Sequence, residues 1–381
     1  MTISPKKVMF AISDTGGGHR SAAVSLIQAL ASHNCTESTI VDVLRATDFP
    51  GLKRAPEIYD YCSKNQLWLN NLFFRNTNSV SRINALTKLV FLQSHERIKR
   101  EVANTQPDAV VAIHPLVIGL LRQTRKMTGS TWPIVTVVTD LVTIHASWAT
   151  PGADLYLVPT QESFNTMVDY GIPSRQIIHT GFPIHPKFLQ NDLTQHQARQ
   201  ALGIESNRFT VLITGGGVGS GNMLEWITAL ETNCNDKQIL VITGNNKKLY
   251  DELTRRKAKS DFSHVYGFVD NMETLMSASD VIVSKAGPGT IMEGVAQKRT
   301  LIITEAVGLQ ETGNIEYVQK NKLGHYCPTP AEACTTINQL AASARNCNDV
   351  HDATTVITNG ANRIADIILH QLDVRIPTQA S

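Results

Sequence analysis

Short runs of Val, Ile and Leu alternate along the chain with longer stretches whose apolar residues recur at helical spacing. In the first half, residues 7–12, 39–43, 109–113, 134–138, 155–158 and 177–179 read as strands. In the second half, residues 209–213, 238–242, 264–266, 280–283 and 300–303 do the same. Strands that are apolar almost throughout imply parallel sheets covered on both faces. Helical stretches such as 20–32 and 224–232 lie between them, so the expected class is α/β, built from doubly wound sheets.

The pattern restarts midway. The strand at 7–12 runs into Ser13-Asp14-Thr15-Gly16-Gly17-Gly18-His19, and the strand at 209–213 into Thr214-Gly215-Gly216-Gly217-Val218-Gly219-Ser220-Gly221. A strand, a glycine-rich turn and a helix open a Rossmann-like unit. Two prolines, Pro183 and Pro186, break regular structure before the restart. The expected organisation is two Rossmann-like domains facing a cleft: residues 1–186, residues 187–352, and a tail at 353–381. One large sheet with a long insertion is the alternative. A helix is expected over 353–372, with Ile357, Ile364, Ile367, Ile368 and Leu372 as its apolar stripe.

Composition adds little until it is divided. The 381 residues carry 35 Lys/Arg and 33 Asp/Glu, a formal net charge of +2, which argues against a nucleic-acid protein built on bulk positive charge. Residues 51–130, however, hold 12 basic against 5 acidic side chains, while residues 191–381 hold 17 against 20. Such asymmetry points to an anionic surface met by the first half. The stretch 66–102 breaks the strand–helix rhythm. It sets Trp68, Leu69, Leu72, Phe73 and Phe74 beside Arg75, Arg82, Lys88, Arg97, Lys99 and Arg100. Large apolar groups among cations suit an anionic bilayer interface; an amphipathic helix packed on its own domain is the other reading. No apolar run approaches the ~20 residues of a spanning helix, and no secretory or transit segment opens the chain. The expected location is cytoplasmic, bound peripherally to the cell membrane. The six cysteines show neither C-x-x-C nor zinc spacing and read as reduced thiols.

Candidate chemistry gathers after the strands. Glycine permits close backbone approach and positive φ, and a strand-to-helix turn aims amides at an anion. Neither glycine loop fits a dinucleotide or P-loop fingerprint, and each also reads as a tight turn. The segment Ser284-Lys285-Ala286-Gly287-Pro288-Gly289-Thr290 is sharper, with Thr290 expected to cap a helix and meet a diphosphate oxygen. Glu293, one turn on, suits a ribose diol or the helix dipole. Gln310, Glu311 and Asn314 open another helix and either read sugar hydroxyls or form an ordinary polar start. His19 is the candidate general base, with Asp14 as an orienting or turn-capping group. Asp140 is the rival base, unless it caps a helix. His114 and His145 end strands on the same rim. Trp148 either anchors at a lipid interface, lines a pocket or is core. No D-x-D occurs, so no metal is expected, and helix dipoles and basic groups would balance a diphosphate.

Taken in order, Ser13-Asp14-Thr15-Gly16-Gly17-Gly18-His19-Arg20, His114-Pro115-Leu116, Thr139-Asp140-Leu141 with His145 and Trp148, Lys285-Ala286-Gly287-Pro288-Gly289-Thr290 and Gln310-Glu311-Thr312-Gly313-Asn314 resemble the monogalactosyldiacylglycerol synthases and related processive diacylglycerol glycosyltransferases. A more distant likeness is to the N-acetylglucosaminyltransferase that makes lipid II. The resemblance implies a GT-B fold, the donor in the C-terminal domain and a lipid acceptor in the N-terminal one. It also implies an inverting, metal-independent transfer of galactose or glucose from a UDP-sugar to diacylglycerol, with anionic lipids as further partners. By motif, Gly216, Gly217, Lys285, Ala286, Gly287, Gly289 and Thr290 would lie at the diphosphate. Phe268 and Val269 would meet the uracil, Glu293 the ribose, and Gln310, Glu311 and Asn314 the sugar. Gly17, Gly18, His19, His114, His145 and Trp148 would lie at the acceptor end, and Trp68, Phe73, Phe74 and Arg75 at the membrane. The tail helix would return to the first domain. Because the first strand follows at once, no plant-type transit extension is expected, which would suit a bacterial form. A polyprenyl-linked acceptor, a UDP-sugar epimerase on the same fold and a non-catalytic lipid-binding protein are the alternatives.

Overall fold

The structure is a computed structural model that describes residues 4–373, apart from 16, 48, 55–56, 59–60, 63–65, 217–221, 257–262 and 345–355. It divides into two compact units. One comprises Met1–Pro186, Gly308–Gln310 and Ile357–Ser381, the other Lys187–Val307 and Glu311–Val356.

The first unit is a six-stranded parallel sheet. Its strands are β1 (Lys6–Ile12), β2 (Thr36–Asp42), β3 (Ala109–Ala112), β4 (Ile134–Val137), β5 (Leu155–Val158) and β6 (Ile177–His179), in the order β2-β1-β3-β4-β5-β6. Helices α1 (Gly18–Ala31), α2 (Leu67–Thr77), α3 (Val80–Thr105), α4 (Val117–Thr128) and α5 (Gln161–Asp169) accompany it. The alternation of side chains along β1 shows why both faces must be covered. Met9 and Ala11 join the core that holds Val90, Ile98, Leu120 and Leu121 of α3 and α4. Val8, Phe10 and Ile12 join the opposite core, with Leu26 and Leu30 of α1. Sequential strands β1 and β2 pair on one side, and β3 then crosses to the other side of β1. The order of connection therefore reverses between β1 and β3, and in open α/β sheets that reversal is where ligands bind.

The second unit repeats the plan with β7 (Thr210–Thr214), β8 (Gln238–Ile242), β9 (Ser263–Tyr266), β10 (Val281–Ser284), β11 (Thr300–Ile303) and β12 (Gly324–Tyr326). Their order is β12-β11-β10-β7-β8-β9, all parallel, with the reversal between β7 and β10. Its helices are α6 (Gln195–Ala201), α7 (Met223–Asn233), α8 (Lys247–Arg256), α9 (Met272–Ala278), α10 (Pro288–Ala296), α11 (Leu309–Lys320) and α12 (Pro330–Ala344). Most expected strands occur within a few residues of their bounds; β12 was not expected. It is a three-residue edge strand of Gly, His and Tyr, with no apolar run to announce it.

The chain returns to the first unit as α13 (Gly360–Gln371), whose Ile364, Ile368 and Leu369 share a core with Leu26 and Leu30 of α1. The helix is shorter than the expected 353–372. Residues 353–355 lie outside the described residues, and Ile357 precedes the helix and packs its side chain and carbonyl against Gly181 instead. Gly360 begins α13 because nothing larger fits there: an added Cβ would lie 2.3 Å from the Phe182 carbonyl oxygen and 2.6 Å from the Gly181 carbonyl carbon. Backbone cannot yield as a flexible side chain can. Gly360→Ala is therefore expected to destabilise the first unit by about 2 kcal/mol or more, as overpacking does. A urea midpoint unchanged from wild type would show that the helix does not dock as described.

Candidate functional site

Each unit presents its chemistry at its own strand-order reversal. In the first unit, α1 begins with Gly17 as its N-cap residue, at φ 78° in the left-handed region, with no side-chain cap. Gly17 and Gly18 are exposed and an added Cβ on either would meet open space. His19 therefore lies in the first helical turn, at the end of β1. Its half-buried ring donates to the Ile113 carbonyl, lies edge-on to His114 with centroids 4.8 Å apart at 72°, and comes within 6.2 Å of the Trp148 ring. Thr139 Oγ1 is 3.4 Å from its Nδ1. Burial pulls the His19 imidazole down to about 4, against the Ile113 bond and the field of Asp14, which favour the cation. At neutral pH the ring is thus uncharged, and the nitrogen not bonded to Ile113 keeps its lone pair.

Asp14 accepts from Arg20 Nε at 2.6 Å and Nη2 at 2.8 Å. That bidentate bond is the largest of the effects that hold its carboxyl below the usual range. The Asp14 amide donates to Asp42 Oδ2 at 3.2 Å, which ties the loop to the end of β2. Asp14 is thus a brace for the loop. His114 is buried, its Nδ1 accepts the Leu116 amide at 3.3 Å, and burial, with His19 second, holds its ring well below the ordinary imidazole value.

Several candidate side chains at this site are engaged within the protein. Trp148 is 1% exposed and its indole N–H donates to Asp140 Oδ2 at 2.8 Å, so it is core and not a lipid-interface anchor. Asp140 is correspondingly an acceptor for that indole. His145 has both ring nitrogens engaged: Nδ1 with the Ser147 amide and hydroxyl, Nε2 with Thr77 Oγ1 at 3.1 Å and the Phe74 carbonyl at 3.3 Å. It joins the end of α2 to the turn at 146–149. Phe74 packs edge-on against that ring at 4.7 Å and is half-buried, so part of it is spent on that contact. The Phe73 side chain lies outside the described residues. Trp68 is 63% and Leu72 48% exposed, and Arg75 is exposed beside them.

The sequence reading passed over the outer face of α3. Leu89 and Leu92, 50% and 71% exposed, sit at i and i+3 among exposed Arg82, Lys88, Lys99 and Arg100. The signal was present as two leucines out of phase with the buried Ile83, Val90 and Ile98. Among the described residues, no helix is long and apolar enough to cross a membrane.

In the second unit, a shallow depression at the reversal between β7 and β10 is lined by Thr214, Gly215, Asn222, Trp226, Ser284 and Lys285, among others. Gly216 follows at φ 74°, its amide donating to Thr214 Oγ1 at 3.2 Å; Gly217 lies outside the described residues. α10 is capped at its N-terminus by Gly287 with Pro288 next, and no side chain caps it. Thr290 is therefore the third helical residue and not the cap that was expected. The uncapped first turn leaves the Gly289 and Thr290 amides facing outward at the positive end of the helix, the arrangement that takes an anion.

Lys285 Nζ bonds Glu311 Oε1 at 2.8 Å, while Glu311 Oε2 accepts the Val307 amide at 2.8 Å. Asn314 Nδ2 donates to the Ala286 carbonyl at 2.8 Å. Glu311 and Asn314 are 5% and 1% exposed. Both brace the loop; the resemblance implied contact with a sugar, and the buried Asn314 Oδ1 has no hydrogen-bond partner among the described residues. Gln310 is half-buried in the first turn of α11. Glu293 is half-buried in α10, and burial pushes its carboxyl up to about 7, with Lys187 opposing and Glu273 adding to the shift. Phe268, 71% exposed, and Val269 follow β9.

A cavity of about 640 Å³ lies elsewhere in the first unit. It sits by β2 and the end of α3, lined by Lys7, Asp42, Arg45 and Glu101 among others, and does not include His19. Among the described residues, no group of three or more His, Cys, Asp or Glu side chains is placed to hold a metal ion.

Comparison with known proteins agrees with this division. Residues 19–184 match the family model for monogalactosyldiacylglycerol synthase, and residues 210–368 match the glycosyltransferase family 28 C-terminal domain. The chain is 31% identical over 88% of its length to the chloroplastic monogalactosyldiacylglycerol synthase of Spinacia oleracea, and spans 66% of that protein, just under two thirds. It is 30% identical to monogalactosyldiacylglycerol synthase 2 of Arabidopsis thaliana, again over 88% of the chain, and spans 73% of it. Among solved structures, the glycosyltransferase of kitacinnamycin is similar at TM-score 0.62 and 14% identity, covering 97% of this chain and 100% of its own. The Anabaena protein HepE in complex with UDP-glucose is similar at TM-score 0.55 and 15% identity, covering 96% of this chain and 98% of its own. The UDP-GlcNAc 2-epimerase of Neisseria meningitidis is similar at 0.57 and 16%, with 96% and 99% covered. At such identities the likeness shows the fold alone: two Rossmann-like domains of the GT-B type.

Proposed function

The chain belongs to the monogalactosyldiacylglycerol synthase family, and from that premise we propose that it transfers a hexose, galactose or glucose, from a UDP-sugar to diacylglycerol with inversion at the anomeric carbon. The observation that carries this reading is an uncharged, half-buried imidazole, His19, next to an exposed glycine turn at the strand-order reversal of the unit that matches the synthase model. His19 takes the proton of the glycerol hydroxyl. The oxygen bonds to C1 of the sugar as the bond from C1 to the diphosphate oxygen breaks, and UDP departs with that electron pair. The outward amides of Gly289 and Thr290, with Lys285, meet the charge that develops on the leaving group. Gly216 lies close to the diphosphate, Phe268 and Val269 meet the uracil through backbone groups, Glu293 accepts from the ribose diol, and Gln310 contacts the sugar. Glu311 and Asn314 act as positioning residues for Lys285 and Ala286. In this reading the α10 N-terminus, with Lys285 shared between Glu311 and the diphosphate, meets that charge and no resident metal is called on.

The assay is direct. Incubation with diacylglycerol liposomes and UDP-galactose or UDP-glucose, in the presence of EDTA, is expected to yield monohexosyldiacylglycerol, identified by mass. Interconversion of the UDP-sugar with no lipid product would place the chain among the epimerases. Activity lost in EDTA and restored by Mg²⁺ or Mn²⁺ would overturn the metal-independent mechanism.

The acceptor sits in a bilayer, so the protein docks on one. Trp68 and Leu72 on α2, and Leu89 and Leu92 on α3, supply exposed apolar groups, with Lys88, Lys99 and Arg100 nearby for anionic headgroups. Changing both Leu89 and Leu92 to Glu is expected to weaken flotation with anionic liposomes about tenfold or more, from the apolar area lost. Flotation equal to wild type would remove α3 from the docking surface.

A further inference from the structure

We propose that His114 is the positioning residue of the first-unit site, holding the His19 imidazole in place and keeping water from its face. Two consecutive residues at the end of β3 grip that ring from two directions. Ile113 takes its N–H through the backbone carbonyl, and His114 lies edge-on to it, with 4.8 Å between centroids and 72° between planes. The strand order makes this possible, because β3 is the neighbour of β1 across the reversal.

His114 is itself fixed. It is 7% exposed, and its Nδ1 accepts the Leu116 amide at 3.3 Å. The neutral ring therefore carries its proton on Nε2 and cannot turn without leaving that amide unsatisfied. Burial, and His19 after it, keeps His114 uncharged across the neutral range. The other groups around His19 act differently. Asp14 favours the imidazolium, but is bonded to Arg20 and felt by Arg45. Thr139 makes a long contact, and Trp148 lies further off with its indole N–H on Asp140. The Ile113 carbonyl fixes the ring's orientation, and burial against an uncharged neighbour keeps it unprotonated although that carbonyl favours the cation. A positioned base requires both properties.

The kinetic half of this inference rests on the transferase reading; the structural half does not. The test is an NMR titration of the histidine rings in the full chain, with kcat/KM against pH measured in parallel. In the wild type, His19 is expected to titrate at about 4. In His114→Ala, water reaches the ring, so its midpoint rises by about one pH unit or more toward the free value, following relief of desolvation. In that variant kcat/KM falls on the order of a hundredfold, as misplacement of a reacting group does, while the KM for the UDP-sugar holds. His114→Phe keeps the aromatic edge but not the acceptor for the Leu116 amide, so it is expected to keep the low midpoint and to lose less activity than His114→Ala. Should His114→Ala fail to fold by thermal melting, His114→Asn takes its place, because it retains an acceptor for the Leu116 amide. An unchanged His19 midpoint in the Ala or Asn variant overturns the proposal, and so does a Phe variant that shifts as far as Ala. If no variant transfers sugar, wild type included, but the midpoints move as described, the function fails and the positioning role stands.

Discussion

His19→Ala is expected to lower kcat for lipid glycosylation on the order of a thousandfold, within the range by which a positioned general base contributes. The donor loops belong to the other unit, so the affinity for a UDP-sugar should stay within about twofold of wild type by equilibrium titration. The pH dependence gives a second, independent signature. Because the His19 cation is disfavoured by burial, the ring remains a base down to about pH 4. Measured for the lipid acceptor with UDP-sugar saturating at every pH, so that Glu293 does not enter, the acid limb of kcat/KM should therefore fall near 4, with a flat profile through the region near 6.5 where an ordinary histidine would titrate. The sign for stability is the same. An imidazole whose folded value is depressed adds stability that is complete above the unfolded value and is lost as pH falls toward 4. Asp140 is the rival. Its carboxylate accepts the Trp148 indole N–H at 2.8 Å, so Asp140→Asn should reduce turnover by loosening Trp148 and leave the acid limb in place. Near-wild-type turnover in His19→Ala, with turnover lost in Asp140→Asn, would transfer the base assignment to Asp140.

The residues of these two sites differ in how far the sequence could place them. Ile12 before a glycine run and Ser284 before Lys285 and Ala286 mark where a strand stops and a helix starts, because glycine and proline act on the backbone locally. The strands were legible for a similar reason: apolar runs such as 109–112 and 300–303 must be buried on both faces. What stayed illegible was the direction in which a polar side chain turns. Glu311 and Asn314 at a helix start are equally good as ligand contacts or as braces. Only the fold reveals that Lys285, 26 positions earlier, and the Ala286 carbonyl occupy them. Trp148, open in sequence to anchor, pocket or core, is buried with its indole on Asp140, and Phe74 is half-buried against the His145 ring. The meeting of His19 with His114, 95 positions away, follows from β3 crossing to the far side of β1. Strand order of that kind is a long-range property that no local spacing reports.

The affinity for a UDP-sugar should rise about tenfold between pH 6 and pH 8 and then level off, because the Glu293 carboxyl must ionise to accept two hydrogen bonds from a ribose diol. Its pKa lies at about 7 in the free protein, raised chiefly by burial. Near pH 6 most of the protein thus holds the neutral acid, and near pH 8 most holds the carboxylate. Binding that favours the carboxylate lowers that value and releases a proton, so titration calorimetry in buffers of different ionisation enthalpy should show proton release around pH 6–7. A UDP-sugar is the right probe because its diphosphate is doubly esterified and does not itself titrate there, unlike UDP. Glu293→Gln removes the titration, so its affinity should be weak and flat over the same interval. Glu293→Ala loses two charge-assisted bonds and is expected to raise the donor KM on the order of a hundredfold, at about 1.5 kcal/mol or more for each bond. The folded protein follows the opposite sign. A carboxyl with a raised folded value contributes stability that is present below about pH 4.5 and is lost as pH rises through 7, so the nucleotide-free second unit should melt lower at pH 8 than at pH 6 and Glu293→Gln should reduce that difference. A pH-independent affinity in the wild type, or a Gln variant that binds as the wild type does at pH 8, would separate Glu293 from the ribose and leave its carboxyl as an ordinary resident of the α10 first turns.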